Sequence, residues 1–141
     1  MPCPQKHLLA GVLLAAIAAA VVMLRAFDPA TSGIFPPCPF RYLTGWYCPG
    51  CGSLRALHQL LLGNFTAAWA LNPLAIVLMP FLAYGTASYA LFEIHGQHLP
   101  RLFLPAVWIR VLCAVIILFG IARNIPLHPF ELLAPGGGLH P

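Results

Sequence analysis

Long runs of apolar residues, almost free of charge, constrain this chain more than any other feature. The first run extends from Leu8 to Phe27 and the second from Leu74 to Phe92. At a rise of about 1.5 Å per residue, each can form a helix that crosses a hydrocarbon layer about 30 Å thick. A third run, from Leu102 to Ala122, is interrupted by Arg110. The pattern predicts an all-α membrane protein with about three transmembrane helices.

The composition argues against a water-soluble domain. Of the 141 residues, 60% are hydrophobic and only 7% are charged, which is too little charge to cover a soluble surface. The basic residues are spread singly along the chain, at Lys6, Arg25, Arg41, Arg55, Arg101, Arg110 and Arg123. Because they form no stripe that could follow a phosphate backbone, we expect no nucleic-acid partner. We expect a multi-pass protein of the cell membrane, with the lipid bilayer as its environment.

Four segments follow from these runs. Residues 1–27 form an N-terminal tail and the first transmembrane helix, and residues 28–72 form a cysteine-rich loop with short interfacial helices. Residues 73–122 contain the second and third spans, and residues 123–141 form a Pro/Gly-rich tail. The first run is interpreted as an uncleaved anchor, because its core is longer than that of a typical signal peptide and no small-x-small cleavage site follows it.

The loop segment is divided by helix-breaking and helix-capping residues. Dense Pro and Gly up to Gly52 predict an irregular stretch. Ser53 is predicted to cap a short helix that Gly63 ends, and Asn64 is predicted to cap a second one. Asn72, before Pro73, is predicted to cap the second span. The two short helices are expected to lie at the membrane surface.

Arg110 and the direction of insertion leave alternatives open. Arg110 can either extend toward the head groups, as the nearby Trp108 suggests, or face the protein interior as a paired charge. Three transmembrane helices would place the cysteine loop and the C-terminus on the same side of the membrane. A count of basic residues near the helix ends favours a cytoplasmic loop, but the count is level without Arg41 and Arg55.

Three of the five cysteines are concentrated in the loop, at Cys38, Cys48 and Cys51. The two-residue spacing in Cys48-Pro-Gly-Cys51 lets both sulfur atoms point into one turn, as in one knuckle of a zinc ribbon. Cys38 can supply a third thiolate, and His58 is the nearest candidate for a fourth ligand. The pattern therefore predicts a zinc site at these four residues.

The same cysteines fit two other interpretations. Cys48 and Cys51 precede a helix, whose N-terminus stabilises a thiolate, and Arg55 can add electrostatic support, with Arg41 a weaker candidate. Redox chemistry would then use Cys38 as a resolving thiol. In the third interpretation, a disulfide between two of the cysteines cross-links the loop and has only a structural role. Cys113, in the middle of an apolar run, is expected to be a small core residue, and Cys3 needs no role.

A set of short motifs carries a resemblance to a known family. They are Cys38-Pro39-Phe40, Leu43-Thr44-Gly45, Cys48-Pro49-Gly50-Cys51-Gly52, Arg55-Ala56, Leu62-Gly63-Asn64, Ala68 and Asn72-Pro73. The chain resembles the small bacterial membrane proteins known as domain of unknown function 2752, strongly over residues 37–80 and with an echo in Arg123-Asn124-Ile125-Pro126. It departs from many members at Ser53-Leu54 and at Asn64. The resemblance implies a membrane protein distinguished by its cysteine loop, and implies no activity.

Three functions are compatible with these residues. The first is a non-enzymatic accessory or subunit protein whose loop, organised by zinc or a disulfide, faces another membrane protein or a second copy of the chain. The second is a membrane thiol-disulfide oxidoreductase that uses Cys48 and Cys51. The third is a transporter, although the helices show neither repeated halves nor a polar pair at the midplane.

Overall fold

Every regular element in the described part of the chain is helical. The computed structural model describes residues 4–95 and 105–135. Its elements are α1 (Pro4–Ala26), α2 (Pro39–Thr44), α3 (Ser53–Leu61), α4 (Phe65–Leu71), α5 (Pro73–His95), α6 (Ala106–Ala122) and a 3₁₀ helix (Phe130–Leu133). The predicted all-α class is confirmed for these residues. Cys3, His98, Arg101 and the predicted start of the third run at Leu102 lie outside them.

Two helices are long and apolar enough to cross a membrane. They are α1, over Leu8–Ala26, and α5, over Pro73–Glu93. Only 11% of each segment is buried inside the protein, so most of their apolar side chains face outward. Such surfaces are costly in water and are compatible with a lipid bilayer. The helix α6 is apolar but shorter, at 17 residues.

The short helices α3 and α4 are attached to the ends of the long ones. Burial of Ala56, Ala68 and Ile76 joins α3, α4 and the first turn of α5 in a small apolar core. Two hydrogen bonds attach α3 to the last turn of α1. His58 Nδ1 lies 2.6 Å from the carbonyl oxygen of Leu24, and the guanidinium of Arg25 donates to the carbonyl of Leu61.

The helix caps agree only in part with the predicted ones. Asn72 caps α5 as predicted, because its Oδ1 accepts from the backbone N–H of Ala75 at 3.0 Å. The prediction for Ser53 is wrong: α3 has Gly52 at its N-cap position, and no side chain caps it. Asn64 occupies the N-cap position of α4, but its side chain donates to Gln59 instead of capping the helix. Tertiary hydrogen bonds and local alternatives therefore replace two of the three expected caps.

The cysteine loop lies where α1 ends, α5 begins and α6 ends. Most of it is irregular, as predicted, but the short helix α2 lies within it and ends at Gly45 in the left-handed conformation, at φ +73°. Pro49 in this loop packs on Gly120 near the end of α6, where an added Cβ would lie 2.9 Å from the proline ring. The loop therefore packs against the end of α6.

Arg110 takes the outward orientation of the two that the sequence allows. Its side chain is exposed on α6 and its Nε lies 3.4 Å from the carbonyl oxygen of Ala106, one turn nearer the start of the helix. A long side chain directed toward a helix end can place its charge at the head groups of a bilayer. The helix α5 continues through Pro80 without interruption.

Candidate metal centre

Three cysteine sulfur atoms converge in the loop. The Sγ atoms of Cys38, Cys48 and Cys51 all lie within 4.8 Å of one another. The sulfur of Cys48 is 3.4 Å from that of Cys38 and 3.2 Å from that of Cys51. Cys38 is the N-cap residue of α2, whereas the other two flank the turn before α3. Two separate segments thus bring three soft ligands to one point.

The turn between Cys48 and Cys51 is held by its own backbone. The N–H of Cys51 donates to the carbonyl of Cys48 at 3.0 Å, and the N–H of Ser53 donates to that of Gly50 at 3.1 Å. Gly52 follows at φ +86°, and a Cβ there would lie 2.7 Å from the carbonyl oxygen of Leu71. Only glycine satisfies both the left-handed conformation and the close approach.

The environments of the thiols differ. The backbone N–H of Arg41, in the first turn of α2, lowers the pKa of Cys38. Burial raises the pKa of Cys51, and together with hydrogen bonds to the Cys48 and Cys38 thiols it brings this pKa to about 12. Burial thus acts against the stabilisation of a Cys51 thiolate that is expected from the start of α3. A bound cation would have to displace the proton of Cys51.

The three other predicted site residues, Arg41, Arg55 and His58, have different surroundings. Arg41 is exposed, with its guanidinium carbon 3.9 Å above the ring of Tyr47, next to Cys48. Arg55 is half-buried on α3 and is not among the groups that shift the pKa of Cys38 or Cys51. His58 is not part of the three-cysteine group. Since a carbonyl can only accept, its Nδ1 must carry the proton donated to α1.

Asn72 does more than cap α5. It is fully buried, and its Nδ2 lies within hydrogen-bond distance of three acceptors of the cysteine turn: the carbonyls of Pro49 (3.0 Å) and Cys51 (3.3 Å) and the hydroxyl of Ser53 (3.0 Å). One side chain thus joins the start of α5 to the cysteine turn. The hydroxyl of Ser53 is an acceptor for this amide, not a cap.

Two residues after α6 were missed as part of the site. Arg123 is 1% exposed, and its Nη1 donates to the carbonyls of Cys48 at 2.9 Å and Pro49 at 3.2 Å. Asn124 pairs with Tyr47 in both directions: its Oδ1 accepts from the Tyr47 N–H at 2.7 Å, and its Nδ2 donates to the Tyr47 carbonyl at 2.8 Å. The only sequence signal for this pair was the echo of the family motif at Arg123-Asn124.

The fold and the site define a small helical protein with apolar helices of membrane-spanning length and a three-cysteine loop at one end. Residues 38–86 match the family described as "Protein of unknown function (DUF2752)". The match confirms the resemblance and contains all three clustered cysteines, whereas Arg123 and Asn124 lie beyond it. Comparison with curated proteins and with solved structures gives no match.

Proposed function

We propose that this chain is a multi-pass protein of the bacterial cell membrane whose loop binds zinc through Cys38, Cys48 and Cys51. We further propose that it acts as an accessory or subunit of a membrane assembly and not as an enzyme. The observation that carries the metal site is the convergence of three sulfur atoms within 4.8 Å. Thiolates at such spacing are ligands that zinc prefers, and the metal would join two segments of an otherwise irregular loop.

The sulfur positions fit zinc after a small expansion. Tetrahedral coordination with bonds of about 2.3 Å places two sulfur ligands about 3.8 Å apart. The two sulfur pairs that include Cys48 are separated by 3.4 and 3.2 Å. Among the described residues, no histidine or carboxylate joins the group. Water or a group from a partner would therefore complete the coordination, and His58 would serve to attach α3 to α1.

The membrane assignment extends to α6. Its 17 residues, among which Arg110 is the one charged residue, correspond to about 26 Å of helix at 1.5 Å per residue, close to the thickness of a hydrocarbon layer. With α6 as a third span, the ends of α1 and α6 and the start of α5 lie at one membrane surface, together with the cysteine loop. Three helices form a thin bundle with much apolar surface, which suits a partner membrane protein or a second copy of the chain.

The metal content of the detergent-purified protein tests this proposal. We expect about one zinc per chain in the wild type and almost none in the Cys48→Ser, Cys51→Ser double variant, since a single remaining thiolate binds zinc weakly. The Cys113→Ser variant is the matched control, because Cys113 is an exposed cysteine on α6 away from the group. A wild-type protein without metal after purification and zinc addition, with freely titrating thiols, would contradict the proposal.

Thiol-disulfide exchange is a second candidate, favoured by the 3.2 Å separation of Cys48 and Cys51. The Cys48 thiolate would attack a disulfide of a membrane partner and release one partner thiolate. Cys51 would then close the Cys48–Cys51 disulfide and release the second, so that the partner is reduced and this pair oxidised. The high pKa of Cys51 suits a resolving thiol better than an attacking one. Trapping of a mixed disulfide by the Cys51→Ser variant, but not by Cys48→Ser, would support this reaction over zinc binding.

A further inference from the structure

The guanidinium of Arg123 is buried beside the cysteine turn and only partly satisfied. Its Nη1 donates to two carbonyls of the turn, but Nε and Nη2 are buried without a hydrogen-bond partner. Burial of a cation whose donors remain unpaired is energetically costly unless a negative charge compensates it. The rings of Phe119 and Tyr47, whose centroids lie 5.0 and 5.8 Å from the guanidinium carbon, offset part of this cost, and an anion close by would offset the rest.

The cysteine thiols are the groups beside Arg123 that become anions when they bind a metal ion. Among the described residues, no carboxylate bonds to Arg123. The guanidinium donates to the backbone carbonyls of Cys48 and Pro49, so it lies beside the turn that carries the sulfur atoms of Cys48 and Cys51, which are 3.2 Å apart. Arg41, the other arginine near Tyr47, is exposed and can be solvated by water. The buried cation beside the sulfurs is thus Arg123.

We propose that Arg123 is the counter-ion of an anionic centre formed by a divalent metal and the thiolates of Cys38, Cys48 and Cys51. This inference rests on the proposed metal binding and adds that the metal–thiolate centre is negatively charged. Three thiolates and a divalent cation carry a net charge of −1, which one guanidinium neutralises. A monovalent ion would leave the centre with a net charge of −2 at the same partly buried site, so the arrangement favours divalent ions. Arg123 acts as a positioning residue, since its charge reaches the metal through the ligands.

The backbone bonds hold this charge in place. Arg123 and Asn124 together bind the carbonyls of Tyr47, Cys48 and Pro49. The ring of Pro49 packs against Gly120, one turn earlier on α6. The end of α6 therefore cannot move relative to the sulfurs without breaking several contacts. Metal binding in the loop is in this way linked to the position of α6.

The affinity of the full-length protein in detergent for Co²⁺ tests the inference. It is measured from the charge-transfer absorption of the Co²⁺–thiolate bonds, and competition by Zn²⁺ gives a second readout. Arg123→Gln keeps hydrogen-bond donors but removes the charge, and we expect it to weaken binding by about 10–100-fold, as is usual for groups that support metal ligands. Arg123→Lys restores the charge and should bind within a few-fold of the wild type. Arg110→Gln, which removes an exposed charge on α6, is the matched control and should bind as the wild type does.

The outcomes separate this inference from the metal site itself. If Arg123→Gln binds Co²⁺ as tightly as the wild type, or if Arg123→Lys is as weak as Arg123→Gln, the charge of Arg123 is not required and the inference is wrong. At saturating Co²⁺ the charge-transfer band of Arg123→Gln should equal that of the wild type, which shows that the same cysteines still bind. If the wild type itself gives no such band, the proposed metal binding fails, and this inference with it.

Discussion

The long helices and the cysteine end of this protein are built on different principles. In α1 and α5 most apolar side chains face outward, and only 11% of each spanning segment is buried within the chain. At the cysteine end, by contrast, three side chains donate hydrogen bonds to three consecutive backbone carbonyls. Asn72 donates to Pro49, Arg123 to Cys48 and Asn124 to Tyr47. The first region needs only length and apolarity, which many sequences supply. The second depends on individual atoms, so substitutions there should have far larger effects.

The largest expected effect is that of Gly52→Ala. The added Cβ would lie 2.7 Å from the carbonyl oxygen of Leu71, in a backbone conformation at φ +86°. We expect a loss of about 3 kcal/mol or more in the free energy of unfolding, together with loss of metal binding. Thermal unfolding in detergent measures the loss of stability, and Co²⁺ titration measures the loss of metal binding. Gly63→Ala is the control, because Gly63 has nearly the same φ of +85° but open space around it, and should cost about 1–2 kcal/mol. Equal losses in the two variants would contradict the close contact at Gly52.

Asn72→Ala should have the next largest effect. It removes the cap of α5 and leaves buried acceptors of the cysteine turn without their donor. We expect a loss of about 2–4 kcal/mol in stability, combining the usual cost of a lost cap with that of unsatisfied buried groups. Asn64→Ala is the matched comparison, since Asn64 is exposed and makes no cap bond, and should stay within about 0.5 kcal/mol. Similar denaturation midpoints for the two variants would show that the hydrogen bonds of Asn72 contribute little to stability.

Gly120→Ala tests the contact between α6 and the loop. An alanine Cβ would approach the Pro49 ring to 2.9 Å, so the loop must shift away from α6. We expect destabilisation of about 1–2 kcal/mol, of the size known for overpacking, and weaker metal binding. Gly85→Ala in α5, where nothing lies within 4 Å, should be neutral or stabilising by up to about 1 kcal/mol, because alanine favours helices. The prediction fails if both glycines tolerate alanine equally.

The smallest effect is expected within the spans themselves. Leu82 is 66% exposed on α5, where its side chain faces the proposed lipid phase. Leu82→Ile keeps the apolar volume, so stability and metal binding should change by less than about 0.5 kcal/mol. A large loss of stability in detergent would indicate that a partner helix packs at this position, and would remove the contrast between the two regions.

Local sequence patterns correctly predicted several parts of the site. The Cys48-Pro-Gly-Cys51 turn, the participation of Cys38 in the cluster and the cap at Asn72 all depend on short spacings along the chain. The cap assigned to Ser53 was wrong because its hydroxyl accepts a hydrogen bond from Asn72, a partner far along the sequence. His58 was proposed as a metal ligand from its spacing alone, whereas in the structure its Nδ1 bonds to the end of α1.

The sequence by itself determined the helical class, the apolar segments and the convergence of three cysteines in one loop. Those features arise from hydrophobic length, helix-breaking residues and short-range geometry, which act between neighbours in the chain. Only the tertiary structure decided that Arg123 and Asn124 belong to the site, because their partners are more than 70 residues away in sequence. It also decided that the pKa of Cys51 is raised, since the burial that raises it depends on how the loop packs between α5 and α6.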